Sequence, residues 1–199
     1  MRGENDGNKD FRLADANPQS AIRNPQSILI ACIGNIFLGD DAFGCEVAKL
    51  LATRALPEDV KLVDFGIRSF DLAYALMDGF ETTIFVDAAP RGGDPGTIYV
   101  IEPDRAQIDA IDMGNTSFEP HGMDPLKVLS MVKRLGGDFK KIVVVGCEPQ
   151  FTGEEGIGFM GLSEPVQASL EKAVEVVERL VARMLSEQAE PAMNAEARA

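Results

Sequence analysis

The feature that most constrains the fold of this chain is a series of short apolar runs that alternate with segments of helical periodicity. The run Ser27–Gly34 (SILIACIG) is apolar along almost its whole length. Such a run is typical of a strand in a sheet that is covered on both faces. Helices on both sides of a parallel sheet supply that cover, so the alternation predicts an α/β domain.

The predicted strands are Ser27–Gly34, Val60–Gly66, Thr82–Ala89, Gly96–Pro103 and Lys140–Pro149. The predicted helices are Asp41–Leu56, Ser69–Gly79 with a serine cap, Asp124–Gly137 and Ser163–Glu187. Together they predict an α/β three-layer sandwich, with a twisted, mostly parallel sheet of about five strands between helices. Residues 1–26 are rich in Asn, Gln, Pro and Asp and lack periodicity. We therefore expect a disordered extension over 1–26, one domain over 27–186 and a disordered tail over 187–199.

Charge and composition limit the partners. The net charge is −13, with 19 basic and 32 acidic residues, which argues against nucleic acid as a partner. No apolar run approaches the length of about 20 residues that a membrane helix needs, so we expect no membrane partner. The three cysteines form no CxxC pair and the N-terminal stretch lacks an apolar signal segment, so we expect a cytoplasmic location.

Acidic residues follow several of the predicted strands, and ligands of open α/β sheets bind at the carboxyl ends of the strands. Asp41 follows the first strand, Asp64 ends the second and Asp87 ends the third, while the only histidine, His121, lies in a loop before a helix. Asp41, Asp87 and His121 would together offer two carboxylates and one imidazole. That donor set suits Ni²⁺, Zn²⁺ or Co²⁺ and leaves coordination positions open.

Each of these residues also has a structural explanation. Asp40 or Asp41 can cap the following helix, Asp87 can bond loop amides, and His121 can serve as a capping or loop residue. The segment CIGNIFLG after the first strand has only Gly34 and Gly39 and so lacks a GxGxxG motif, and motifs of the P-loop, HExxH and GxSxG types are missing from the sequence. Cys147 remains a candidate nucleophile with His121 as its base, or else a buried structural thiol.

Five motifs occur in an order that resembles the hydrogenase maturation proteases. They are GNIFLGDDAFG, VDAAPRGGDPGT, PHGMDPLKVL, VVVGCEP and MGLSEPV, and the resemblance covers Ser27 to Leu185. It implies a sheet of roughly five strands between helices. It also implies a protease domain over residues 27–186, which removes a C-terminal extension from the large-subunit precursor of a nickel–iron hydrogenase after nickel insertion.

The resemblance further implies that Asp41, Asp87 and His121 contact the metal and carry the catalysis. Some members of the family have Glu where this chain has Asp41, and Asp40 is a neighbouring candidate for the same role. The nickel belongs to the substrate, so the free protein need not hold a metal, and the implied partner is the hydrogenase large-subunit precursor. The GCEP segment is expected to line the cleft and hold the peptide backbone. Two alternatives stay open: a non-catalytic maturation chaperone that binds the nickel-loaded subunit, and a Cys147/His121 cysteine hydrolase.

Overall fold

The structure is a computed structural model that describes residues 27–104, 125–151 and 160–196. Its elements in chain order are β1 (Ile28–Ile33), a 3-10 helix (Gly39–Ala42), α1 (Phe43–Leu51), β2 (Val60–Gly66), α2 (Ser69–Leu76), β3 (Thr82–Ala88), β4 (Ile98–Ile101), α3 (Pro125–Arg134), β5 (Lys141–Cys147) and α4 (Glu164–Glu196). Within the described residues, no helix has the length and apolarity needed to cross a membrane.

In the described part of the chain, the sheet has five strands in the order β2-β1-β3-β5-β4. β1 pairs in parallel with β2 and β3, and β3 pairs in parallel with β5. β4 is an edge strand and runs antiparallel to β5. The predicted α/β sandwich with a mostly parallel sheet is therefore confirmed.

Two apolar layers bury the two faces of the sheet, and β1 shows how one strand serves both. Ile28, Ile30 and Cys32 pack with α1 and α4 on one face. The alternate residues of β1 pack with α2 and α3 on the other face. Successive side chains of a strand point to opposite faces, so a strand without polar residues has to be covered on both sides.

Several element ends differ from the sequence prediction by one to nine residues. α1 ends at Leu51 rather than at Leu56, because Thr53 and Arg54 donate backbone hydrogen bonds three residues back and close a tight turn. Ser69 was predicted to cap α2, and this is wrong: Arg68 holds the cap position and no side-chain capping bond forms. α4 continues to Glu196, past the predicted end at Glu187 and into the stretch predicted as a disordered tail. The predicted extension over residues 1–26 lies outside the described residues.

Gly44 brings the start of α1 into contact with the strand backbones. A Cβ atom at Gly44 would lie far inside van der Waals contact with the carbonyl oxygens of Ile33 and Val86. These carbonyls belong to the carboxyl-terminal parts of β1 and β3. The absence of a side chain at Gly44 therefore lets the 3-10 helix and α1 sit directly on that edge of the sheet.

We expect Gly44→Ala to lower the free energy of unfolding by about 3 kcal/mol, the upper part of the range for overpacking a tight site. Gly79→Ala is the comparison, because Gly79 has a positive φ of 86° but no atom within 4 Å of the added carbon. That variant should lose only about 1 kcal/mol from backbone strain. Chemical denaturation of both variants measures the difference, and equal losses would contradict the close approach of α1 to the strands.

Candidate active site at the carboxyl edge of the sheet

The order of the strands places a crevice between β1 and β3. From β1 the chain continues to β2, which lies on one side of β1, and then to β3, which lies on the other side of β1. The loops that leave the carboxyl ends of β1 and β3 consequently diverge. In open α/β sheets, ligands bind at this point of divergence.

Two of the three predicted site residues lie at this position. Asp41 belongs to the 3-10 helix that follows β1, and Asp87 is the penultimate residue of β3. The 3-10 helix contacts β3. Asp87 lies opposite Gly146 of β5 and is 7% exposed, while Asp41 is partly buried. The fold therefore brings the segments that carry both carboxylates to one edge.

The surroundings of Asp41 change its acidity. Burial raises the pKa of the Asp41 carboxyl, and the backbone amide of Asn35 opposes this shift. A carboxylate with a raised pKa is a stronger base than one in water. Asp41 is thus suited to accept a proton near the crevice.

Asp40, the neighbour of Asp41, has a different environment. Its carboxylate is fully buried and accepts hydrogen bonds from the backbone amides of Gln150 (2.8 Å), Phe151 (3.1 Å) and Ser163 (2.7 Å). The Ser163 hydroxyl donates a fourth bond, of 2.9 Å. Asp40 therefore joins the end of β1 to the segment after β5 and to the start of α4. These bonds occupy its oxygens, so the suggestion that Asp40 shares the role of Asp41 is not supported.

Glu148 of the GCEP segment likewise accepts hydrogen bonds from backbone amides, here in the loop that follows β3. Its carboxylate accepts bonds from the backbone amides of Arg91 (2.9 Å) and Gly92 (3.0 Å) and from the Tyr99 hydroxyl (2.8 Å). Burial alone would raise the pKa of Glu148, but the bonds from Tyr99 and from these amides outweigh it and lower the pKa. Glu148 thus does hold backbone amides, and they belong to this chain's own loop after Asp87.

The third predicted site residue, His121, lies outside the described residues. Within residues 27–104, 125–151 and 160–196, no three His, Cys, Asp or Glu side chains form a group that could hold a metal. The ligand set of Asp41, Asp87 and His121 accordingly stays a prediction.

All three cysteines are buried and free. Burial raises the pKa of Cys32, and the negative charges of Asp64 and Asp87 raise it further, which shows that both acids lie within electrostatic range of this β1 thiol. Burial also raises the pKa of Cys147, although a hydrogen bond with Ser169 opposes the shift. A buried thiol with a raised pKa is a poor nucleophile.

The roles of Asp40 and Glu148 were not predicted from the sequence as they appear in the structure. Two adjacent acids ahead of a helix carry no signal about which of them turns inward. The partners of Asp40 lie far along the chain, at 110 to 123 residues' separation. The only available signal was that the acids of GDDAFG and GCEP follow buried strands.

Comparisons with known proteins point to one family. A family model described as hydrogenase maturation protease matches residues 45–180. A Methanocaldococcus jannaschii protein provisionally named as a hydrogenase maturation protease is 34% identical over 154 residues, which cover 76% of this chain and 94% of that protein. The Escherichia coli hydrogenase 2 maturation protease is 28% identical and is covered over 87% of its length.

Solved structures show the same fold. The hydrogenase-maturating endopeptidase HybD from Escherichia coli matches with a TM-score of 0.64 and 28% identity, over 80% of this chain and 94% of that chain. The maturation protease HycI from Thermococcus kodakarensis matches with a TM-score of 0.55 and 27% identity, over 79% of this chain and 93% of that chain. The fold, the position of Asp41 and Asp87 at the carboxyl ends of the strands and these matches define an α/β peptidase. The chain belongs to the hydrogenase maturation protease family.

The different environments of the two adjacent acids predict opposite effects on stability. Asp40→Ala removes the acceptor of four hydrogen bonds. We expect the free energy of unfolding to fall by about 3 kcal/mol or more, because each buried donor left unpaired costs about 1–3 kcal/mol. Urea denaturation followed by circular dichroism measures this loss.

Asp41→Asn is the matched control. The native pKa of Asp41 lies above its unfolded value. The free energy of unfolding therefore falls as pH rises from the unfolded pKa to the native pKa, and it stays lowered at neutral pH. At pH 7 we expect Asp41→Asn to raise Tm by about 1–3 °C. This gain should shrink below about pH 4, where the carboxyl is protonated in both states. Equal destabilisation by Asp40→Ala and Asp41→Asn would contradict the distinction between the two acids.

Proposed function

We propose that this endopeptidase removes the C-terminal extension from the large-subunit precursor of a nickel–iron hydrogenase after nickel has been inserted. The observation that supports it most directly is the position of Asp41 and Asp87 at the divergence of β1 and β3. The family of the chain supports the class of reaction. The names of its relatives support a hydrogenase as the protein that is matured.

In this proposal the nickel arrives with the substrate. Asp41, Asp87 and His121 contact open coordination positions on the ion, which prefers mixed oxygen and nitrogen donors. A nickel-loaded precursor then binds more tightly than an empty one. Since a ligand can discriminate only through differential affinity, this contact is what couples cleavage to nickel insertion.

Cleavage of the peptide bond needs a base and a group that polarises the reacting atoms. Nickel on the substrate polarises the carbonyl or a water molecule. Asp41 accepts the proton of the attacking water through the carboxylate oxygen that does not contact the ion, and returns it to the amide nitrogen as the C–N bond breaks. The reaction would then be of the aspartic type and would involve no covalent enzyme intermediate.

We place this reaction in the cytoplasm. The three free and buried thiols are compatible with a reducing compartment, where disulfides are rare. The strong negative charge of −13 disfavours nucleic acid as a partner. The macromolecular partner that we propose is the hydrogenase large-subunit precursor.

The processing assay uses purified nickel-loaded precursor and this protein, with mass spectrometry of the precursor's C-terminus. We expect loss of a C-terminal peptide with the wild type, and a rate lowered by about 100-fold or more in Asp87→Asn and His121→Ala, the range for loss of a general acid or base. Glu58→Gln changes an exposed acid and should process normally. Intact precursor with confirmed nickel loading would favour the chaperone alternative, and normal cleavage by His121→Ala would contradict the site.

Cys147→Ala separates the cysteine-hydrolase alternative. Cys147 is buried and its pKa is raised, so we expect cleavage to persist within about twofold of the wild type, the level of an ordinary structural substitution. Melting temperature is measured in parallel, because removal of a buried sulfur can lower stability. A folded Cys147→Ala protein without activity would instead identify the thiol as the nucleophile.

A further inference from the structure

An apolar hollow of about 340 Å³ lies beside the crevice between β1 and β3. Its walls are the loop after β1, over residues 34–37, and the end of β2 with its following loop, over residues 64–68. Cys45 of α1 forms part of the lining. The size is that of a small ligand site, sufficient for one large side chain.

Three apolar side chains at this hollow are open to solvent. Phe37 is 63% exposed and Ile67 is 46% exposed, and Ile36 is similarly open. All three line the same hollow. Exposed apolar groups that cluster at a concave site mark a surface where another molecule binds.

The polar groups of the lining are already engaged within the chain. Asn35 Oδ1 accepts a bond of 3.0 Å from the Phe37 amide, and Asp64 Oδ1 accepts one of 2.9 Å from the Gly66 amide. The Arg68 guanidinium donates to the carbonyls of Phe65 and Asp64. These bonds hold the two loops in position and leave apolar surface for a guest. The chemistry of the hollow thus favours an apolar side chain over a charged group.

The hollow shares the loop after β1 with the crevice. The loop after β1 forms one wall of the hollow and also leads to Asp41, whose carbonyl accepts a hydrogen bond from the Asn35 amide. β2 and β3 lie on either side of β1, so their ends are about 10 Å apart. An extended peptide spans about 3.3 Å per residue. A substrate bound at Asp87 would therefore reach the hollow with a side chain about three residues away.

We propose that this hollow is a recognition subsite for an apolar side chain of the precursor, within about three residues of the cleaved bond. The proposal rests on the proposed function and adds a specificity element to it. The occupant is a substrate segment, because the hollow shares a loop with the crevice where the substrate must lie.

The test uses Phe37→Asp and Ile67→Asp, which place a charge in the hollow. Leu135→Asp is the control: Leu135 is an aliphatic residue of equal exposure, 45% against 46% for Ile67. It follows α3, which leads into the start of β5, so it lies at the opposite edge of the sheet. Ile67→Leu is the conservative variant. Melting temperatures establish that each variant is folded.

Binding of whole nickel-loaded precursor is measured by biolayer interferometry with a precursor that carries proline after the bond that mass spectrometry identifies as cleaved, which prevents cleavage and keeps Asp87 in place. We expect Kd to rise about 10-fold for each hollow variant, the discrimination typical of one apolar contact. Leu135→Asp should stay within twofold of the wild-type parent, and Ile67→Leu should bind more tightly than Ile67→Asp, because it keeps an apolar side chain in the hollow. With the cleavable precursor, the hollow variants should raise KM and leave kcat within about twofold, because the contact is equal in ground and transition states.

A substitution in the precursor completes the test. Replacing an apolar residue near the cleaved bond with Ser should weaken binding to the parent and not weaken binding to Ile67→Asp further, since the two changes remove one contact. Unchanged Kd in both folded hollow variants would overturn the proposal. So would a wild-type dimer that dissociates in Ile67→Asp while precursor binding stays constant, since the occupant would then be a second copy of this chain. A wild type that binds but never cuts the precursor would refute the proposed function, while the Kd values would still decide the subsite.

Discussion

The buried carboxylate of Asp40 is the interaction on which the functional edge depends. It accepts four hydrogen bonds and thereby connects the end of β1, the segment after β5 and the start of α4. A buried charge without such partners would be costly. Charge-assisted bonds of this kind are stronger than neutral ones, so the segments around the crevice are held together before any substrate arrives.

Local geometry separates Asp40 from Asp41. Both belong to the 3-10 helix Gly39–Ala42, in which successive side chains differ in direction by about 120°. The Asp40 carboxylate therefore points into the protein and accepts four hydrogen bonds, whereas the Asp41 side chain is only partly buried and has a raised pKa. Adjacent residues of the same type thus serve structure and the proposed chemistry respectively.

The loops around the crevice divide their tasks in the same way. Glu148 holds the loop after Asp87 through backbone amides and Tyr99. The loops after β1 and β2 each use their polar side chains to hold their own backbone, and they leave Ile36, Phe37 and Ile67 exposed. Under the proposed function, carboxylates would contact the metal-bearing part of the precursor and the apolar hollow would hold the chain beside it.

The sequence by itself determined the elements and the fold class, because the periodicity of side chains is local. β2 was predicted with its observed bounds and β1 within one residue at each end. Asp41 was predicted to follow the first strand and Asp87 to end the third, and the structure brings their segments to one edge. His121 remains a prediction from the sequence.

Only the tertiary structure decided that β1 lies between β2 and β3, that Asp40 turns inward, and that residues 34–37 and 64–68 enclose a hollow. Each of these depends on contacts between segments distant in the chain, about which local periodicity carries no information.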